Sequence, residues 1–537
     1  MENKNTIIAL VLMLVVWVGF TLYSQTQVDQ ASVQSETVSS NEKQVKTVVS
    51  ASLEPKVVRD ILPVSDQTLK DIKVREITVE TDNYIAVFSN AGANLKSFQL
   101  KKYKETAKEG AGFVNLVLDP LQPTLTSAGE GFLFFRKDDL FQANVEEDYI
   151  YIKPGDKKEL SFQVVNDHGI TLVKKYALEG SGYHFPTQIL VYNNSDKTVD
   201  GKISLSLVNP FERLKESSSL SFVGPATLVK DDVDTVKKKA IEETVEYGDD
   251  IIWTAFEDEY FMSAIVPLDN ALESLKIYRE GNSILNQVKA PLQTLLPQTS
   301  VSFDYFVYMG PRDPGILESV NYRLSEIIDF GIFDFIARPL LFVLNFFYSF
   351  VGNYGVAIIL LTVVIKIVFW PLTQKSYSSM KAMQTLQPEM QKIREKFKND
   401  KERLNREIME LYKTKRVNPL GGCLPMLIQI PVFFALYKVL LGNIDLRHAP
   451  FAFWITDLSA KDPYYITPII MGGTMFLQQK MTPSTMDPTQ AKIFMVMPIV
   501  FTFLFLNFPS GLVIYWLVNN VLTILQQYLI NKSAVKI

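Results

Sequence analysis

Residues 353–372 (NYGVAIILLTVVIKIVFWPL) constrain this chain more than any other stretch. From Gly355 to Leu372 the run is apolar enough to cross a membrane, apart from Thr362 and Lys366. An ammonium at the centre of a spanning helix costs about 2.5–3.5 kcal/mol on insertion scales. On this stretch alone, two accounts of Lys366 stand open. Its stem can snorkel to the interface, because Leu372 lies only roughly 9 Å further along a helix. Alternatively, the amine lines a water-filled cavity between helices. Pro371 is expected to close the span, and a long basic segment follows.

The rest of the chain is unevenly built. A net charge of −4 and 47% hydrophobic residues look ordinary, but the apolar residues crowd the first 23 positions and everything after about 335. At 537 residues there is room for several domains. The single cysteine, Cys423, lies in an apolar stretch, so disulfides and cysteine metal sites are excluded from 24–335. No metal site or cofactor is expected. HExxH, GxSxG and GxxxxGK[ST] are missing, and His168 and His184 are not in ligand spacing. No nucleic-acid module is apparent, and the acidic balance argues against one.

Taken in order, residues 1–23 read as an uncleaved transmembrane anchor with its N-terminus in the cytoplasm. Residues 7–23 carry no charge, outrun a usual signal-peptide core, and end in the poor cleavage site Leu22-Tyr23-Ser24. Residues 24–56 are a polar, flexible linker. Over 57–312 the hydrophobic period becomes two. Ile77 and Val79, Leu160-Phe162-Val164, Ile170-Leu172 and Ile203-Leu205-Leu207 alternate as half-buried strands, with turns at Ser181-Gly182 and Asn193-Asn194-Ser195-Asp196. This predicts a large antiparallel β-sandwich with a structural or docking role. A vestigial carbohydrate-type groove is the other reading. Within 313–352, the apolar run Leu340–Val351 is short and interrupted by Asn345 and Ser349. That suits an amphipathic helix on the outer membrane surface, kinked at Arg338-Pro339, better than a span.

Charge orients the remainder. Residues 373–418 hold twelve Lys/Arg against six Asp/Glu, an excess that belongs in the cytoplasm. Further spans are predicted at 420–441, 465–479, 493–508 and 512–530, followed by a short cytoplasmic tail, 531–537. Six transmembrane helices, both termini inside and the β-domain outside, satisfy every segment: the anchor plus a five-helix core, 353–530. Within 373–418, Met390, Ile393 and Phe397 and then Leu404, Ile408 and Leu411 recur at helical spacing, which predicts a hairpin turning at Asn399-Asp400. Its apolar faces pack on each other, or Met380, Met383, Met390 and Met409 offer a soft surface to apolar partners.

The five core spans contain no Asp, Glu or His. That weighs against ion-coupled transport and against proteolysis. They offer neutral polar residues instead: Thr362, Gln429, Thr474, Gln478, Thr502, Asn519 and Asn520. Singly each can be helix–helix glue; with Lys366 they suggest a hydrated cavity. Spans 465–479 and 493–508 reach only about 22 and 24 Å, against a hydrocarbon core of roughly 30 Å. Short spans favour thinning of the bilayer. Prolines 425, 431, 468 and 498 are expected to loosen the helices.

Three long segments carry a resemblance: NPLGGCLPMLIQIPVFFALY (418–437), DPYYITPIIMGGTMFLQQKM (462–481) and FPSGLVIYWLVNN (508–520). With 353–372 they resemble the YidC/Oxa/Alb family of membrane protein insertases, most strongly over about 340–530. The stretch 57–312 is similar to the large periplasmic β-sandwich of members from double-membraned bacteria. The resemblance implies a non-enzymatic insertase and chaperone of the bacterial inner membrane. Its five-helix core would hold a positively charged groove, open to the cytoplasm and lipid. It also implies that Lys366 supplies the groove's cation, where bacterial members usually carry arginine, and that Thr362, Gln429 and Asn519 line it. Phe433 and Trp516 would form the slide along which a client segment leaves, with Trp516 replacing a frequent tyrosine. The hairpin methionines Met380, Met383, Met390 and Met409 would touch the client. Implied partners are nascent membrane proteins, the Sec translocon, the ribosome, the signal-recognition-particle receptor and lipid. The chain ends soon after Lys532 and Lys536, so ribosome docking through a long basic tail is not expected. The rival readings are a polar-solute or ion transporter, and a membrane-tethered sugar-binding or envelope-assembly protein.

Overall fold

The computed structural model describes residues 73–534, except 120, 132, 137, 215–221, 270, 399, 416, 418–423 and 483–487. The predicted anchor 1–23 and linker 24–56 lie outside the described residues, as do 57–72 and 535–537. The chain divides into a large unit, residues 55–485 and 497–537, and a small one, residues 1–54 and 486–496. Of the small unit, only the helical turns at 488–496 are described.

Period-two patterning becomes strands where it was expected. Leu160, Phe162 and Val164 alternate inward on Lys157–Val165, which pairs antiparallel with Ile170–Glu179. Alternation follows from the pleat, which sends successive side chains to opposite faces. Both strands belong to a nine-stranded sheet; Val199–Pro210 joins three neighbours in a six-stranded one, and Tyr84–Ser89 centres a five-stranded one that includes Glu76–Glu80. Side chains from all three sheets meet in one apolar core that includes Tyr84, Phe98, Phe162, Tyr176 and Trp253. Among the described residues, pairing is antiparallel except between Glu76–Glu80 and Tyr149–Tyr151, where Thr78 lies beside Tyr149 in a parallel pair. That exception depends on which distant segment reaches the edge, which local periodicity does not encode. At the Ser181-Gly182 turn, Gly182 has φ +89°, a conformation that needs no Cβ.

After the last strand, Ser300–Pro311, Asp313 caps a short helix, α1 (Pro314–Val320), by accepting from the Ile316 amide at 2.8 Å. Helix α2 (Asp334–Val351) runs without a break through Pro339, Asn345 and Ser349, the residues expected to kink or interrupt it. The Ser349 hydroxyl donates to the Phe346 carbonyl, 2.7 Å, and so consumes its polarity locally. Ala337 and Leu344 of α2 are buried, whereas Phe335, Phe342 and Phe350 are 74%, 72% and 73% exposed. Gly352, at φ +62°, ends the helix and turns the chain into α3.

Helix α3 (Tyr354–Thr385) is 32 residues long. Pro371 does not close it. A proline forfeits one helical hydrogen bond, and the helix continues, with the Thr373 hydroxyl donating to the Phe369 carbonyl at 2.8 Å. The predicted hairpin follows as α4 (Gln387–Lys396) and α5 (Lys401–Thr414). Asp400 caps α5 by accepting from the Arg403 amide, and Glu389 and Lys415 tie the two arms at 3.2 Å.

The remaining helices are α6 (Leu424–Gly442), α7 (Ile466–Met481), α8 (Pro488–Phe505) and α9 (Ser510–Ala534). Pro431 and Pro498 sit inside α6 and α8 without ending either. Among the described residues, three stretches are long and apolar enough to cross a membrane: Gly331–Val351, Tyr354–Thr385 and Ser510–Ile530. The first contains the segment expected to lie on the surface, so length does not separate the two placements. Helices α2, α3, α6, α7 and α9 share a second apolar core around Leu361, Leu436, Met471 and Tyr515.

Candidate functional site

The Lys366 ammonium turns into the bundle. It donates to the Thr523 hydroxyl of α9 at 2.7 Å, and that hydroxyl donates to the Asn519 carbonyl at 2.6 Å. Asn519 in turn accepts from the Gln429 amide of α6 at 3.1 Å. Among the described residues no carboxylate pairs with Lys366, which is half-buried. Of the two accounts the sequence left open, the structure has the amine facing the helices. Neutral hydrogen bonds offset part of the cost of withdrawing the charge from water, and the charge itself stays uncompensated.

The polar face of α9 extends beyond Asn519 and Asn520. Asn520 reaches the Thr474 hydroxyl of α7 at 3.4 Å. Gln527 donates to the Tyr377 hydroxyl at 2.6 Å and to the Thr482 hydroxyl at 2.9 Å, joining the ends of α3, α7 and α9. Thr523, Gln526 and Gln527 are 4%, 1% and 2% exposed, and none figures in the sequence expectation. Their signal was present nonetheless, because 519, 523 and 526/527 recur at three- and four-residue steps on one helix face.

Thr362 does not join this network. It is fully buried, and its hydroxyl donates to the Ile358 carbonyl of its own helix at 2.6 Å. The result is local back-bonding, with no free polarity offered to a groove. Thr502 likewise bonds the Pro498 carbonyl at 2.7 Å. Phe433 and Trp516 come together, edge to face at 4.7 Å and 84°, with Phe505 5.1 Å from Trp516. They form an apolar wall one turn from Asn519, and both rings are half-buried.

The hairpin methionines separate. Met383 and Met390 are buried, and the Tyr412 hydroxyl lies 3.4 Å from the Met390 sulfur. They pack helices instead of presenting a surface. Met380 is half-buried and Met409 is 51% exposed.

Loop chemistry fixes the far ends of these helices. Asp462, 1% exposed, accepts from the Thr467 amide and hydroxyl at 2.8 and 2.7 Å and from the Trp454 indole at 3.1 Å. It thereby holds the start of α7. Ser510 donates from amide and hydroxyl to the Ala460 carbonyl, each 2.8 Å, and so anchors α9 to the same loop.

Two family models cover this architecture: the 60Kd inner membrane protein model matches residues 346–536, and the YidC periplasmic domain model matches residues 76–343. The membrane protein insertase YidC of Geotalea daltonii is 43% identical over 538 residues, covering 99% of each chain. That of Citrifermentans bemidjiense is 48% identical over 463 residues, covering 86% of each. Among solved structures, an active YidC insertase crystal structure covers 86% of this chain and 94% of its own, at 18% identity and a TM-score of 0.36. Identity of this depth over nearly the full length makes the chain a member of the YidC family of membrane protein insertases.

Proposed function

We propose that this chain inserts integral membrane proteins into the bacterial inner membrane and helps them fold, alone or with the Sec translocon, without covalent chemistry. The observation that carries the mechanism is the inward-facing, charge-unpaired Lys366 of α3, bonded to the polar face of α9 that also carries Trp516 of the Phe433–Trp516 pair one turn before Asn519. In this reading α3, α6, α7, α8 and α9 are the spanning core. Helix α2 lies in the outer interface with its exposed phenylalanines in lipid, and the α4–α5 hairpin is cytoplasmic. The β-domain is periplasmic and both termini are cytoplasmic.

A client's polar N-terminal region enters along Lys366, Gln429 and Asn519, where the amine and local water offset part of its desolvation. The short helices thin the bilayer and shorten the apolar path. The client's hydrophobic segment then leaves past Phe433 and Trp516 into lipid, driven by burial of its apolar surface. Nascent chains and lipid are the working partners. The ribosome and the signal-recognition-particle receptor would deliver clients to the hairpin, where Met380 and Met409 are the methionines with exposed surface.

The test uses two single-span clients differing only in N-terminal charge, after depletion of the wild-type protein. Lys366→Arg should be nearly silent, because charge and reach are kept. Lys366→Ala should be mild for the neutral client, whereas Lys366→Glu should slow the acidic client most. Equal insertion of both clients by folded Lys366→Glu would sink the attraction mechanism.

A further inference from the structure

Gln526 lies on the α9 face that carries Asn519 and Thr523. It is 1% exposed, and among the described residues neither its amide nitrogen nor its amide oxygen has a hydrogen-bond partner. Its neighbours on this face are engaged in part: Lys366 with Thr523, Gln429 with Asn519, and the Gln527 amide nitrogen with Tyr377 and Thr482, while the Gln527 amide oxygen is also without a partner among the described residues. Both donors and both acceptor lone pairs of the Gln526 amide are therefore unused. Such a group is disfavoured in an apolar interior, and no hydrocarbon tail can satisfy it. It also sits near the end of α9 opposite Ser510, about 24 Å along the helix. Gln526 lies one turn beyond Thr523, the partner of Lys366, towards that end.

The ligand's chemistry follows from the amide. In an extended chain, the N–H and C=O of one residue point to the same side, so a single carboxamide can accept from one and donate to the other. A helix has already spent both groups internally. We propose that Gln526 is a specificity-determining residue that hydrogen-bonds the backbone of a client's extended polar tail, ahead of its hydrophobic segment. This rests on the groove reading above, and it adds selection by backbone conformation to selection by charge.

The experiment uses the full chain in proteoliposomes and two uncharged single-span clients. One has an ordinary polar tail, and the other has proline at alternate tail positions, which removes those N–H groups. The wild-type chain should insert the first client faster. Gln526→Leu should slow it about tenfold, since a site built to hydrogen-bond loses most when a partner is missing. It should leave the proline-tailed client nearly unchanged, and Gln526→Asn should restore part of the preference. An equal effect on both clients, or no effect, overturns the assignment. Should Gln526→Leu lower the melting temperature, a second arm decides. Gln526→Cys in a Cys423→Ser background should form a disulfide with a tail cysteine of a stalled client, and no crosslink at any tail position overturns it. Lys366→Glu runs in parallel with the charged clients. Loss of charge selection there condemns the groove reading itself, whereas intact charge selection with no tail preference condemns only Gln526.

Discussion

Lys174 shows how one buried charge marks a whole domain. Strand Ile170–Glu179 carries it into the β-core, where it is fully buried and donates to the Leu125 carbonyl. Burial lowers its pKa from 10.5 to about 7. Between about pH 7 and 10.5 the unfolded chain therefore holds a proton that the folded chain has released. Stability rises with pH across that window, because the unfolded state binds more protons there. Urea unfolding of residues 57–312, expressed alone, should show this rise between about pH 7 and about pH 9. Lys174→Met should flatten it, and an unchanged slope in the variant would assign the effect to another group. Lys366 gives the complementary lesson: its charge was legible in the sequence, but its direction was not. Thr523, its partner, lies far away in the chain, and only packing brings the two within 2.7 Å.

Among the elements, the helices depart from expectation most where a local rule met a tertiary exception. Pro371 reads as a stop, yet α3 passes through it. Asn345 and Ser349 read as interruptions, yet α2 absorbs both. Pro371 costs α3 one backbone hydrogen bond, which the rest of a long helix outweighs, whereas Asn345 and Ser349 keep their backbone N–H groups and the Ser349 hydroxyl is satisfied by the Phe346 carbonyl. Helices α7 and α8 meet more closely than their residue types suggest. A Cβ placed on Gly472 would stand 1.9 Å from the Thr502 hydroxyl oxygen. Gly472→Ala should therefore push the helices apart and cost about 1–3 kcal/mol, the usual range for overpacking. The check is thermal unfolding in detergent, and a variant that melts with the wild type would contradict the close approach. Gly473→Ala, whose Cβ meets nothing, is the matched control.

At the scale of the molecule, the β-domain and the helical core are fastened by the loop after α6. Ile444 joins the β-core. Arg447 donates to the Glu105 carbonyl at 3.1 Å and lies over the rings of Tyr260 and Phe261. A cavity of about 210 Å³ remains at this junction, lined by residues including Arg213, Asp258 and Arg447. In the six-span arrangement proposed above, this fastening puts that loop on the same side of the membrane as the β-domain, and single cysteines test it. In a Cys423→Ser background, Phe453→Cys, at a position 94% exposed, should label from the periplasm. Asp400→Cys should label from the cytoplasm, and finding both on one side would remove the six-span arrangement. By itself, the sequence determined what rests on local pattern. Period-two alternation specified the strands and long apolar runs specified the helices, whereas Gln429, Asn519, Phe433 and Trp516 were pointed to by the family resemblance. Tertiary structure alone decided which polar groups remain for function. Thr362 spends its hydroxyl on its own backbone, Met383 and Met390 are buried, and Gln526 is left unpaired among the described residues. The reason is physical: a side chain's type sets which bonds it can make, but whether they are already made depends on neighbours that only the fold supplies.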